Sequence, residues 1–353
     1  MFDNRIINED IESIVSHPLP WNKFENKNVL ITGINGFIPS YLFYTLLYLI
    51  DKKDMNIHIY GLSRNKTQTE IKYEWCMHMH HVHFIYQDVV DPINIDVKFD
   101  YVIHAASHAS PKFYNTDPVG TILPNIISTY HLLQKAVSDK TERFLYFSSG
   151  EVYGETPNVP TKEDDFGKID PFTVRACYSE SKRAGETLCK SFHHQYGLET
   201  FVVRPFHTYG PGVDLNNGRV SSDFVKNILN KQDIEITSDG NATRAFCYLA
   251  DATVGFFTVL LKGTSGQAYN IGNPNEEISI PNLAEKLIAL FPEFCLKVKG
   301  VVPKSASDYL KSAINRNSPD ISKAVKLGWV PTTTIQEGFK KMVASYLQKS
   351  TVT

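Results

Sequence analysis

Tyr178 and Lys182 stand four residues apart in the stretch Tyr178-Ser179-Glu180-Ser181-Lys182. On a helix, positions i and i+4 share a face, so both side chains can enter one cleft. An ammonium beside a phenol favours the phenolate, and so does a positively charged nicotinamide, so both draw the tyrosine toward working pH. Ser149, in Ser148-Ser149-Gly150-Glu151-Val152-Tyr153-Gly154, can hydrogen-bond the same substrate oxygen. A proton route of this kind suits an alcohol/ketone pair next to a hydride carrier. A lone Tyr-x-x-x-Lys is usually an ordinary surface helix; here a glycine loop and a Ser-Ser strand end precede it.

That loop is Gly33-Ile34-Asn35-Gly36-Phe37-Ile38-Pro39, after the apolar run Asn28–Gly33 and before a helix. Gly33 allows the tight turn and Gly36 lets backbone approach a pyrophosphate, which the following helix N-terminus attracts. Pro39 takes the third glycine position, where a first helical turn tolerates it. The second strand ends Gly61-Leu62-Ser63-Arg64 and lacks the customary ribose-binding acid. A guanidinium and a hydroxyl suit a 2′-phosphate, which tips the cofactor toward NADP over NAD and leaves both open. Asp88 and Val89 suit the adenine edge.

The elements that must position these groups are short apolar strands at 28–33, 57–63, 83–89, 101–107, 143–149 and 200–206. Helices lie between them, near 37–50, 120–137 and after 178. The alternation predicts an α/β fold, a Rossmann-type doubly wound parallel sheet. From about residue 207 short strands, prolines and polar turns mix with helices at 220–230 and 281–290. The expected organisation is an N-terminal helical extension (1–26), a dinucleotide-binding body (27–206) and a smaller mixed α/β substrate lobe (207–353), with segments returning to the body. The lobe closes over the carboxyl edge of the sheet, where ligands bind in such folds.

Composition narrows the rest. A formal charge of −2 argues against a nucleic-acid-coating surface. The longest apolar run, 42–50, is far short of the roughly 20 residues of a membrane helix, so no membrane partner is expected. The acidic, amphipathic start is not a signal peptide, and five cysteines without a C-x-x-C pair suit free thiols in a cytoplasmic setting. Cys76, His78, His80, His81 and His83 crowd together, but no spacing matches a closed zinc site, so no metal is expected. His193 and His194 suit a solvated helix face.

With these residues in view, the chain resembles the extended short-chain dehydrogenases/reductases, the NAD-dependent epimerase/dehydratase family of nucleotide-sugar enzymes. The marks are ITGINGF (31–37), HAASHASP (104–111), Asn125, SSGEVYG (148–154), YSESK (178–182), RPFHTYGP (204–211), TRAFCYLAD (243–251), YNIGNP (269–274) and LGWVP (327–331). HASP, RACYSESKR (175–183), NNGRVSSDF (216–224) and TRAF most resemble UDP-glucuronate decarboxylases, and also reductases and epimerases of bacterial surface-polysaccharide (O-antigen) loci.

The resemblance implies a catalytic set of Ser149, Tyr178 and Lys182, with Glu151. It implies a cofactor track along Gly33, Asn35, Gly36, Phe37, Ile38, Ser63, Arg64, Asp88, Val89, Ala105, Ala106, Ser107 and Asn125. Ser110, His207, Arg219, Arg244 and Arg316 would meet the nucleoside-diphosphate sugar, with Arg244 near Glu151. A homodimer through the helices near 112–137 and 178–195 is also implied. Gly150 replaces the first acid of the 4,6-dehydratase pair, which argues against dehydration. His207 replaces the usual asparagine; it suits a packing residue or a proton relay.

The activity expected is hydride transfer at C4 of the sugar. Net reduction of a dTDP-4-keto-6-deoxyhexose ranks first, because Ser63-Arg64 suits an exchanging NADPH. Decarboxylation of UDP-glucuronate or 4-epimerisation with retained NAD is the alternative. A non-catalytic cofactor sensor is the rival of another class.

Overall fold

The computed structural model describes residues 4–236, 242–300 and 315–349. Seven strands form one parallel sheet: β1 (Lys27–Thr32), β2 (Ile57–Ser63), β3 (Val82–Tyr86), β4 (Tyr101–His104), β5 (Arg143–Phe147), β6 (Thr200–Pro205) and β7 (Gln267–Ile271). Their spatial order is β7-β6-β5-β4-β1-β2-β3. The order reverses between β1 and β4, so the crevice at their carboxyl ends is the place where such sheets hold ligands.

Eleven helices are described: α1 (Arg5–Ser16), α2 (Phe37–Lys53), α3 (Lys66–Tyr73), α4 (Pro111–Thr116), α5 (Pro118–Asp139), α6 (Ala176–Tyr196), α7 (Val220–Leu229), α8 (Leu249–Lys262), α9 (Ile280–Leu290), α10 (Ser322–Val325) and α11 (Ile335–Lys349). Strand side chains alternate between faces, so each strand feeds two cores. Val29 and Ile31 pack with α2 and α8, while Leu30 packs with α5 and α6 on the other face. Burial on both faces explains why the strands read as unbroken apolar runs.

The strands expected at 83–89, 101–107 and 143–149 leave the ladder two or three residues early, at Tyr86, His104 and Phe147. The residues past those points turn out of the sheet, and Ala105, Ser107, Ser148 and Ser149 line the cavity above it. Elements without a counterpart in the sequence reading include α3, α8, α10, α11 and β7. Helix α8 is buried along Leu249–Leu261 on every side, so it has no polar face and no 3.6-residue signature.

Helix α1 is joined to the body. Asp10 is fully buried and accepts hydrogen bonds from Tyr41 (3.0 Å) on α2, Tyr248 (2.6 Å) and Lys341 (2.9 Å) on α11. One carboxylate thus ties the first helix, the cofactor-loop helix and the last helix together.

Candidate active site

A cavity of about 1930 Å³ opens over the carboxyl ends of the strands. Pockets for one small ligand run to roughly 1,000 Å³, so this volume suits a dinucleotide together with a second nucleotide.

One end is the glycine loop. Gly33 has φ +71°, and a Cβ there would lie 2.8 Å from the Ala106 Cα. Loop and strand end are therefore in backbone contact, and Ala106 serves as the wall behind Gly33. Gly36 is the N-cap of α2, and a Cβ on it would meet the Gly33 carbonyl at 3.0 Å. Asn35, Gly36, Phe37, Ile38, Ala105 and Ser107 line the cavity. Asn35 Oδ1 and Ser107 Oγ are buried there without a partner among the described residues. A bare backbone cradle, a helix N-terminus and two unsatisfied polar atoms fit a bound dinucleotide.

Lys72 on α3 reaches back to this loop, donating to the Asn35 carbonyl (3.0 Å) and to Ser40 Oγ (2.5 Å). Ser63 is buried and accepts from Asn35 Nδ2 at 2.9 Å. Arg64 is exposed and meets His108 Nε2 at 2.9 Å. Asp88 spends its carboxylate on its own turn, accepting from the Val90 N–H at 3.0 Å, and Val89 packs on the core beneath. Asn125 does not face the cavity. It is fully buried and donates to the Thr121 carbonyl (2.9 Å) and Ser181 Oγ (3.0 Å), linking α5 to α6.

The reacting end is built on β5 and α6. Ser148 Oγ donates to Glu186 at 2.5 Å, and Arg204 grips the same carboxylate through two nitrogens at 2.9 and 2.6 Å. This buried clamp fixes the strand end that presents Ser149. Ser149 Oγ accepts the Glu151 N–H (3.2 Å) and hydrogen-bonds Tyr178. Lys182 Nζ donates to the Phe147 carbonyl at 2.6 Å and lies 5.8 Å from the Tyr178 ring centre. Burial lowers the Lys182 ammonium to about 7.

The expected depression of Tyr178 is not what the fold produces by itself. Burial pushes the phenol upward, and Glu151 adds to that; the Ser149 hydrogen bond and the Arg219 charge pull it down.

Two neighbours had no place in the sequence reading. Tyr114 stacks on Tyr178 with ring centres 4.9 Å apart and planes at 18°. Arg175, the N-cap residue of α6, pairs with Glu151 at 3.0 Å, both about four-fifths buried. Arg175 stood inside the RACYSESKR motif; only its three-residue offset from Tyr178 hinted at the site.

Arg244 was expected near Glu151, and both line the cavity; the ion pair described for Glu151 is with Arg175, because the short helix that carries Glu151 faces the start of α6. Arg244 lines the cavity and donates to the Thr243 and Asn315 carbonyls, at 2.7 and 3.0 Å. Arg219 lines it too and donates to the Ala109 carbonyl at 2.8 Å. Ser110 donates to the Asn217 carbonyl at 2.7 Å, closing body to lobe. His207 lines the cavity.

Arg316 departs from expectation. It turns outward into a two-point ion pair with Glu277 (2.7 and 2.9 Å), while its neighbours Asn315 and Asn317 line the cavity. Alternation along a strand sends adjacent side chains to opposite faces.

The histidine cluster gains a member from β2: His58 Nδ1 is 3.3 Å from His83 Nε2. Among the described residues, no group of three or more His, Cys, Asp or Glu is arranged to hold a metal ion, and no helix is long and apolar enough to cross a membrane.

The family model for the NAD dependent epimerase/dehydratase family matches residues 29–272. UDP-glucuronic acid decarboxylase 6 of Arabidopsis thaliana is 34% identical over 329 residues, covering 92% of this chain and 91% of that protein. UDP-glucuronic acid decarboxylase 1 of Danio rerio is 33% identical over 324 residues, covering 90% and 72%. Among solved structures, UDP-glucuronic acid 4-epimerase from Bacillus cereus, in complex with UDP-glucuronic acid and NAD, superposes with a TM-score of 0.76 at 24% identity, covering 91% of this chain and 99% of that one.

Proposed function

Because the chain belongs to the NAD dependent epimerase/dehydratase family, we propose that it oxidises C4 of a nucleoside-diphosphate sugar reversibly with NAD and that its reaction is the decarboxylation of UDP-glucuronate. The observation that carries this reading is the likeness to decarboxylases, above 30% identity along nine-tenths of the chain. It displaces net reduction of a dTDP-4-keto-6-deoxyhexose from first place. No observation favours the non-catalytic sensor.

When bound, NAD supplies the acceptor and later the donor of the C4 hydride. The chain's own residues handle protons and charge. Tyr178 takes the proton of the C4 hydroxyl, with Ser149 on the same oxygen. The resulting ketone is β to the C6 carboxylate, so the C5–C6 bond breaks with its electron pair delocalised onto O4 and carbon dioxide leaves. C5 is then protonated, and Tyr178 returns a proton to O4 as C4 is reduced. Lys182, which burial leaves only partly protonated near pH 7, supplies positive charge beside the phenol in its ammonium form. Glu151, fixed by Arg175, faces the cavity beside this centre, and Arg219 and Arg244 supply charge for the diphosphate or sugar.

A second reading, net reduction of a 4-keto sugar by NADPH, is favoured by one observation: Ser63 and Arg64 stand at the end of β2 where an acid would hold the ribose. One experiment separates the two. Purified enzyme receives UDP-glucuronate with NAD, and separately a dTDP-4-keto-6-deoxyglucose-type substrate with NADPH. The first reading expects carbon dioxide and a pentose nucleotide from the first mixture, with flat nicotinamide absorbance. Stoichiometric loss of NADPH in the second mixture, with no carbon dioxide from the first, overturns it. A 4-epimerised uronate as the product moves the assignment to epimerase.

The assembly is proposed to be a homodimer. Val119, Leu123, Ile127 and Tyr130 are 63%, 36%, 38% and 41% exposed along α5. Their spacing of four, four and three residues makes one apolar stripe, which a second copy can cover.

A further inference from the structure

His207 lies at the carboxyl end of β6, between the body and the lobe. Its main-chain carbonyl accepts the Cys247 N–H at 3.0 Å, which pins the backbone, and its ring sits 6.0 Å from that of Phe246. The residue lines the cavity, yet Nε2 is shielded from solvent and has no hydrogen-bond partner among the described residues. A buried ring nitrogen without a partner is costly to a fold, and a ligand that completes it is one reason for a fold to keep it.

The charges around the ring indicate what kind of ligand. Arg219, at the N-cap of α7, and Arg244, on the strand Thr243–Ala245, both act on it. Among the described residues, the acids lining the same cavity are Glu151, Asp214, Asp223 and Glu235, of which Glu151 is engaged by Arg175. Two guanidinium groups and an unpaired imidazole nitrogen on residues that line one cavity form a seat for anionic oxygen once the ring yields Nε2 to the ligand.

We propose that His207 Nε2 binds an anionic oxygen of the nucleotide sugar and takes up a proton as it does so, making substrate affinity depend on pH. This rests on the nucleotide-sugar reading above and goes beyond it in assigning a proton-linked contact. The direction follows from electrostatics. Without ligand, burial and the two arginines hold the imidazole well below its ordinary value, so it is neutral. An anion seated on the three groups reverses the local field and favours imidazolium. Affinity then rises as pH falls. If the bound imidazole merely regains its ordinary value of about 6.5, binding is about fourfold tighter at pH 6 than at pH 8. The oxygen can come from the diphosphate or from a uronate carboxylate, and two probes tell them apart.

The test is calorimetric titration of the full-length protein with UDP-glucose and with UDP-glucuronate at pH 6, 7 and 8, each in two buffers of different ionisation heat. Neither probe titrates in this range. The expected result is proton uptake of several tenths per site near pH 6.5 and the fourfold trend. Both effects should vanish in His207→Asn and His207→Gln, each checked for unchanged circular dichroism and melting temperature. Uptake with both probes places the diphosphate on His207; uptake with UDP-glucuronate alone places the carboxylate there. Binding with no proton uptake by the wild-type protein overturns the proposal, and so does uptake that persists in both variants. If neither probe binds the wild-type protein at any pH, it is the nucleotide-sugar reading that fails.

Discussion

Replacing Lys182 with methionine should abolish turnover and yet make the cofactor-free protein relatively more stable as pH falls from 9 to 7. The lysine's ordinary value is 10.5, and burial brings it to about 7 in the fold. For a base depressed by folding, the unfolded chain binds the proton first. Wild-type stability is therefore lost as pH falls from the unfolded value and levels off below about 7. Linkage gives a penalty of about 2 kcal/mol at pH 9 and about 4 kcal/mol at pH 7. Methionine carries no such penalty, but it leaves the Phe147 carbonyl without the 2.6 Å bond from Nζ. That loss is about 1–3 kcal/mol and does not vary with pH. The difference between variant and wild type should thus shift by about 2 kcal/mol toward the variant between pH 9 and pH 7. Guanidinium unfolding of both proteins at the two pH values, without cofactor, measures it. A pH-independent difference, or a shift the other way, refutes the claim that Lys182 is held partly deprotonated by burial.

Tyr178→Phe should cut kcat by about 10²–10⁴-fold while cofactor affinity holds, because only the proton route is removed; titration alongside kinetics checks both halves, and retention of a tenth of the activity would remove Tyr178 from the mechanism. Arg64→Ala should weaken NADPH more than NADH, since a charge-assisted bond to the 2′-phosphate exists for only one of them; equal losses leave the reductase reading without its one support. Substituting Leu123 and Ile127 together by aspartate should yield a monomer by light scattering at micromolar concentration, and a wild-type monomer would refute the dimer itself. Arg175→Met should impair turnover by freeing Glu151, with Arg175→Lys restoring part of it; an unchanged pH–rate profile in the methionine variant would count against a role for the pair.

Much of this protein was legible in the chain itself, for local reasons. The β-strands of a covered parallel sheet must be apolar on both faces, so Ile57–Ser63 announced itself as a strand with its observed ends. Gly33 and Gly36 mark a turn that side chains would block, and Tyr178 and Lys182 share a face through helix geometry alone. These signals are carried by neighbours in sequence, where spacing implies position. What spacing could not decide was partnership between distant segments. Glu151 pairs with Arg175, Arg316 turns away to Glu277, and Asn125 braces two helices. Helix α8 left no amphipathic trace because its whole circumference is buried. Nor does a sequence give the depth of burial that lowers Lys182 and leaves His207 Nε2 without a partner. Pairing, side-chain direction and desolvation depend on which surfaces the folded chain brings together, and only the tertiary structure decides that.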